Sequence, residues 1–131
     1  MQPASTRPRL LVVDDNLGTA MVLGELLGGD GYDAEILRDG LAAIARLEHG
    51  LDFDALITDF HLPGASGIEI CQRAAARAVA IPMFVLTGDP VPARLARDAL
   101  GLHIVILPKP IRYPDLVARL AAALRGQAVV V

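Results

Sequence analysis

Tryptophan is absent from this 131-residue chain, and aromatic residues make up only 4% of it. Platforms that stack nucleic-acid bases need ring faces, so that class of function is not expected. Cysteine occurs once, at Cys71. A single thiol cannot close an internal disulfide, and nothing pairs it with zinc-ligand spacing, so it reads as a small buried apolar residue. No apolar run approaches the ~18 residues that span a bilayer. The opening Met1-Gln2-Pro3-Ala4-Ser5-Thr6-Arg7-Pro8 lacks the apolar core of a secretion signal. Residues 1–8 therefore read as a short flexible arm, and a cytoplasmic location with no membrane partner is expected. Lysine is the sharpest scarcity. Of twelve basic residues eleven are arginine, and Lys109 stands alone. Lysine is a compact point charge where arginine is a wide planar fork, which suits a narrow pocket that must place one positive charge on a small anion.

Apolar residues make up 53% of the chain, a proportion that fits a sheet covered on both faces by helices. Net charge is −3 with the arginines scattered, so no basic face recommends direct contact with nucleic acid. The length suits one domain with a substantial core, here residues 9–126. Residues 127–131 form an apolar tail that could join a dimer or fray.

The chain is organised around Ala55-Leu56-Ile57-Thr58-Asp59, followed by Pro63-Gly64. An apolar run closed by turn chemistry reads as a strand buried on both faces, and it delivers Asp59 to its C-terminal edge. Arg9 to Val13 is a second such run, ending in Asp14-Asp15. Asn16 can cap the helix that follows, residues 17–27, stopped by Gly28-Gly29; Gly24 inside it suggests close packing. Tyr32–Leu37 reads as a strand and residues 41–47 as a helix closed by His49-Gly50. Residues 67–78 make a third helix, and Ile81–Leu86 a strand ending in Thr87-Gly88-Asp89. Pro90 and Pro92 suit a loop and a helix start, with the helix itself over 93–100. His103–Leu107 is a fifth strand, ending in Pro108-Lys109-Pro110. Tyr113-Pro114-Asp115 opens a last helix, 116–125, capped by Gly126. Strand and helix alternate five times, which predicts an α/β fold: a flavodoxin-like (βα)5 doubly wound, five-stranded parallel sheet in the order 2-1-3-4-5.

In that order the polar residues at the strand ends share one crevice. Strand one supplies Asp14 and Asp15, strand three Asp59, strand four Thr87 and strand five Lys109. Three carboxylates suit a hard divalent cation with oxygen ligands. Asp59 is a plausible nucleophile toward phosphorus, with Lys109 and the Thr87 hydroxyl to stabilise charge on the transferred group.

These residues and their spacing resemble the response-regulator receiver family of two-component signalling over roughly residues 8 to 125. The resemblance rests on Asp14-Asp15, on Asp59 followed by Pro63 and Gly67, on Thr87, and on Lys109-Pro110. It implies that Asp59 is the phosphoacceptor and that Asp14, Asp15, Asp59 and the backbone carbonyl of His61 hold Mg²⁺. It implies that Thr87 and Lys109 bind the phosphoryl group and that the Lys109-Pro110 bond is cis. The donor would be a phosphohistidine on a histidine kinase or histidine phosphotransfer protein. Such a domain catalyses its own modification and is not an enzyme on external substrates.

Many receivers carry Tyr or Phe three residues before this lysine, where the chain has Ile106, so threonine–aromatic coupling in its usual form is not expected. The stretch around Lys109 looks more like receivers of hybrid kinases, or stand-alone ones, than DNA-binding regulators. His61 and Asp89 flank the pocket either as tuners of phosphoryl lifetime or as solvated loop residues, while His49 and His103 read as surface residues. Readout is expected as protein–protein contact, with helix four, strand five and helix five as the surface, or on a further part of the protein, and a homodimer is a separate possibility. One rival is a phosphorylation-independent receiver-like scaffold. A small Mg²⁺-dependent phosphatase would want its nucleophile on strand one and a second Asp at position 16, which is Asn. An FMN-binding flavodoxin would want a hydroxyl- and glycine-rich loop where Asp14-Asp15 stand.

Overall fold

The computed structural model describes residues 7–50, 52–77 and 80–128, residues 127 and 128 by backbone alone. Its elements in chain order are β1 (Arg9–Val13), α1 (Leu17–Gly29), β2 (Asp33–Leu37), α2 (Gly40–Glu48) and β3 (Ala55–Asp59). There follow α3 (Gly67–Ala75), β4 (Met83–Thr87), α4 (Pro90–Leu100), β5 (Val105–Pro108) and α5 (Tyr113–Ala128). All strand pairs are parallel and the sheet order is β2-β1-β3-β4-β5, as the alternation predicts.

Successive side chains on a strand point to opposite faces, and here both faces are covered. Leu10, Val12, Ala55, Ile57, Phe84, Leu86 and Leu107 pack under Leu23 and Leu27 of α1 and Leu116 and Leu120 of α5. Leu11, Val13, Leu56, Met83 and Val85 face Ala43, Ile44 and Leu47 of α2 and Ile68, Ile70, Cys71 and Ala74 of α3. Double coverage is why the central strands read as unbroken apolar runs: every residue of β3 and β4 is buried, whereas edge strands β2 and β5 are only partly so. Cys71 is buried and free, and Gly24 lies against Ile36 of β2, where a Cβ would stand 2.7 Å from its Cδ1.

Several boundaries differ from the sequence expectation, each for a physical reason. Helix α4 starts at Pro90, not at 93, and α5 starts at Tyr113 with Pro114 next. Proline is tolerated in a first turn because its missing N–H has no partner there anyway. Helix α5 also runs through Gly126 to Ala128, since one interior glycine costs only about 1 kcal/mol and does not by itself end a helix. Helix α3 stops at Ala75, where Arg77 N donates to Ala74 O as the last turn tightens. Strands β2, β4 and β5 begin one or two residues later than expected, and β4 and β5 each end one residue later.

The N-terminal arm lies outside the described residues for positions 1–6, but Arg7 and Pro8 are part of the folded unit. Arg7 pairs with Asp33 and donates to the carbonyls of Gly28 and Tyr32, and Pro8 O accepts from Asp33 N. The tail residues 129–131 lie outside the described residues. No helix among the described residues is long and apolar enough to cross a membrane.

Candidate functional site

Asp14 follows β1 directly and is 2% exposed. Its backbone N–H reaches Leu37 O at 3.0 Å, and its Oδ1 accepts from Asn16 N at 2.9 Å. Asn16 also caps α1, accepting from Thr19 N at 2.9 Å. The sequence shows that cap but not the second bond, by which Asn16 orients the Asp14 carboxylate; the adjacency Asp-Asp-Asn was the only signal. Asp15, one residue on, is exposed.

Asp59 is the last residue of β3 and 4% exposed. One carboxylate oxygen from each of Asp14, Asp15 and Asp59 lies within 4.8 Å of the others. Thr87, last residue of β4, is buried, and its Oγ1 accepts from Asp89 N at 2.9 Å. The β5 end is tied to it, since Lys109 N donates to Thr87 O at 2.8 Å. The Lys109-Pro110 bond is cis. From there the Lys109 side chain returns toward β3 and brings Nζ to 2.8 Å from Asp59 Oδ1. The fold thus gathers Asp14, Asp15, Asp59 and Lys109 from three strand ends, with Thr87 at the end of the fourth, where its carbonyl accepts from Lys109 N.

His61 is exposed, its ring edge-on to Phe60 at a centroid distance of 4.6 Å. Asp89 is exposed too and its carboxylate caps nothing on α4; its contribution is the backbone N–H that holds the Thr87 hydroxyl. His49 and His103 are exposed, as expected.

The electrostatics of Asp59 follow from burial. Desolvation, then hydrogen bonding with Asp14, push its carboxyl up to about 7, against the opposing pull of Lys109. Although Lys109 Nζ is close to Oδ1, no donor is aligned to hydrogen-bond that buried oxygen. A buried acceptor without a directed partner, beside two further carboxylates, is a donor set suited to a hard cation. The triad can hold a metal ion.

Comparison with known proteins agrees with this architecture. The family model for the response regulator receiver domain matches residues 10–121. The chain belongs to that family. Among curated proteins the receiver is 36% identical over 121 residues to the DNA-binding response regulator MtrA of Mycobacterium tuberculosis, covering 91% of this chain and 51% of that protein. It is 35% identical over 118 residues to the response regulator MprA of Mycobacterium avium, covering 89% and 51%. The chain thus spans about half the length of the curated relatives it matches. Among solved structures, the chemotaxis response regulator CheY4 of Vibrio cholerae superposes with a TM-score of 0.78 at 26% identity, covering 90% of this chain and 99% of that one. A CheY-like receiver domain protein from Methanospirillum hungatei has the same fold, with a TM-score of 0.84 at 22% identity over 94% and 98% of the two chains.

Receivers catalyse only their own phosphorylation and dephosphorylation. This receiver is therefore a phosphoaccepting signalling domain and not an enzyme on external substrates, and its acidic cluster suits metal-dependent chemistry. Membership sets aside the flavodoxin and phosphatase alternatives.

Proposed function

We propose that Asp59 accepts a phosphoryl group from a phosphohistidine of a histidine kinase or histidine phosphotransfer protein. Asp14, Asp15, Asp59 and the backbone carbonyl of His61 would hold Mg²⁺, with Thr87 and Lys109 receiving the phosphoryl oxygens. The observation that carries this reading is Asp59 Oδ1: buried, without an aligned donor, and 2.8 Å from the chain's sole lysine.

In the transfer, an Asp59 carboxylate oxygen forms a bond to phosphorus as the phosphorus–nitrogen bond to the donor imidazole breaks, and the imidazole leaves with its electron pair. Mg²⁺, when bound, supplies positive charge against the phosphoryl oxygens and the clustered carboxylates. Lys109 stands where its ammonium can follow an oxygen that arrives with phosphorus. The Thr87 hydroxyl already accepts from Asp89 N. A hydroxyl carries one donor and two acceptor sites, so its proton remains to donate to a phosphoryl oxygen. The acyl phosphate product is hydrolytically labile, and the switch resets itself.

Readout runs through α4, β5 and α5, whose surface exposes Val91, Leu95 and Val105 at 59%, 66% and 38%, to a partner protein or a second copy of the chain. Ile106, half-buried against the α2/α3 side of the core, takes the place of an aromatic switch. A cytoplasmic setting and absence of direct nucleic-acid contact by residues 9–126 belong to the same reading.

Acetyl phosphate with Mg²⁺ should add one phosphoryl group to the wild type, detected as intact-protein mass, and none to Asp59→Asn. Equal labelling of both would move the acceptor elsewhere. Absence of labelling in either would favour a phosphorylation-independent scaffold. Phosphotransfer profiling against purified histidine kinases then identifies the donor.

A further inference from the structure

The connection from Asp59 to α3, residues 60–66, is seated on two glycines that supply no chemistry. Gly67 opens α3 and donates its N–H to Phe60 O at 2.9 Å. A Cβ at Gly67 would overlap the carbonyl oxygen of Asp59 and stand 3.0 Å from its carbonyl carbon and 3.2 Å from Phe60 Cα. Gly40 opens α2 and donates to Pro63 O at 2.9 Å. A Cβ there would overlap the carbonyl oxygen of Ala65 and stand 2.7 Å from its carbonyl carbon and 2.8 Å from its Cα. Both glycines are buried.

The obstructing atoms in each case are main chain, so no rotamer change relieves the overlap; the loop itself, or the helix end, must move. What moves is consequential. Gly67 bears on the Asp59–Phe60 peptide, which sets where the Asp59 carboxylate points. Gly40 bears on Ala65, in the loop that also carries His61. The two contacts reach this loop from different helices, and both end in a hydrogen bond that only close approach permits. Neither α2 nor α3 contributes a polar side chain to the site, yet α3 abuts the strand end that does and α2 abuts the loop that follows it.

We infer that Gly40 and Gly67 are positioning residues for the phosphoacceptor. By admitting main chain against main chain, they lock the loop after β3 so that Asp59 is held in register with Asp14, Asp15 and Lys109. This rests on the reading of Asp59 given above. A displacement near 1 Å at a reacting group can cost on the order of 100-fold in rate. Gly67 touches the Asp59 peptide itself and Gly40 touches the loop six residues on, so the effects should be graded.

The test compares wild type, Gly67→Ala, Gly40→Ala and Gly101→Ala. Gly101 has a φ of 64° at the end of α4 and nothing within 4 Å of a Cβ built there, so its substitution strains the backbone away from the site. Two quantities are measured on the folded fraction: Mg²⁺ affinity of the unphosphorylated protein by calorimetry, and the rate of labelling by acetyl phosphate. Gly67→Ala should lose on the order of 10–100-fold in rate and bind Mg²⁺ more weakly. Gly40→Ala should shift both in the same direction by less, and Gly101→Ala should shift neither. Wild-type values in both site variants, or losses matched by Gly101→Ala, overturn the inference. Should the site variants not fold, hydrogen exchange on the wild type decides. The Gly40 and Gly67 amides should be as protected as those inside β3, and exchange by local opening would show that the loop is not locked. If the wild type takes Mg²⁺ but no phosphoryl group, the phosphoacceptor reading has failed, and the glycine inference is judged on Mg²⁺ affinity and exchange alone.

Discussion

At the scale of single residues, the site is set by how far each group is withdrawn from water. Asp59 has its carboxyl raised to about 7, chiefly by desolvation and then by Asp14. An unfolded aspartate titrates near 3.9, so between about pH 4 and pH 7 the native state holds a proton that the unfolded chain has lost. Stability of metal-free protein should therefore fall as pH rises through that window and level off above it. Asp59→Asn should flatten this slope and stabilise the metal-free protein at pH 8 by about 1–3 kcal/mol, measured by urea denaturation in a chelator. Cys71 shows the same physics without chemistry. Burial pushes its thiol up to about 12, and only the thiolate reacts, so iodoacetamide at pH 8 should leave native protein unmodified and label it on unfolding. The residue types at Asp14, Asp59, Thr87 and Lys109 were legible in the sequence because each sits at the end of an apolar run. The raised acid, the Asn16–Asp14 bond and the Asp89–Thr87 bond were not, since each depends on atoms brought together from outside the local stretch.

At the scale of elements, one arginine ties the edge of the sheet to its centre. Arg46 of α2 reaches Glu35 of β2 at 2.9 Å and Asp52 before β3 at 3.2 Å, and lies 4.6 Å from the centroid of the Phe53 ring. Arg9 of β1 approaches the same ring at 5.5 Å and pairs with Asp52 at 2.8 Å. Edge strand β2 is thereby fastened by side chains as well as by its ladder with β1. Arg46→Ala should cost about 1–2 kcal/mol, and Arg46→Lys less, because a lysine keeps the charge but not the fork. Guanidinium denaturation midpoints would show both. The hydrogen bond from Arg46 holds the Asp52 carboxyl below its ordinary value, so this fastening persists above about pH 4 and weakens as acid protonates the carboxylates. Helix starts were the elements read least well from sequence. Pro90 and Pro114 punctuate loops as readily as first turns, and which they do depends on whether the following residues find a face to pack on.

For the whole molecule, the decisive fact is one sheet shared by two cores. Leu47 of α2 and Leu120 of α5 are buried on opposite faces, and neither core exists without the strands between them. Leu47→Ala and Leu120→Ala should each cost about 2–5 kcal/mol. Each should leave a single transition in which circular dichroism and tyrosine fluorescence coincide. A separate early transition for one helical layer would contradict this coupling. The same shared sheet explains why the site is where it is. Parallel strands with right-handed crossovers put every C-terminal end on one edge, so residues that end four strands, far apart in the chain except for the adjacent Asp14 and Asp15, come to the same edge.

From the sequence alone come the alternation of strands and helices, the sheet order, and the five polar residues that end the strands. The alternation and the strand-end residues follow from apolar periodicity and turn chemistry, which are local and survive without coordinates; the order follows from the doubly wound fold that such alternation fits. The tertiary structure alone decides that Asp59 is shut away from water with an oxygen lacking a directed partner, and that Lys109 lies against it. It alone shows the Thr87 hydroxyl already engaged and the loop after β3 seated where only hydrogen fits. Those are matters of distance and exclusion of solvent, and distance between residues far apart in the chain is settled only when the sheet has closed.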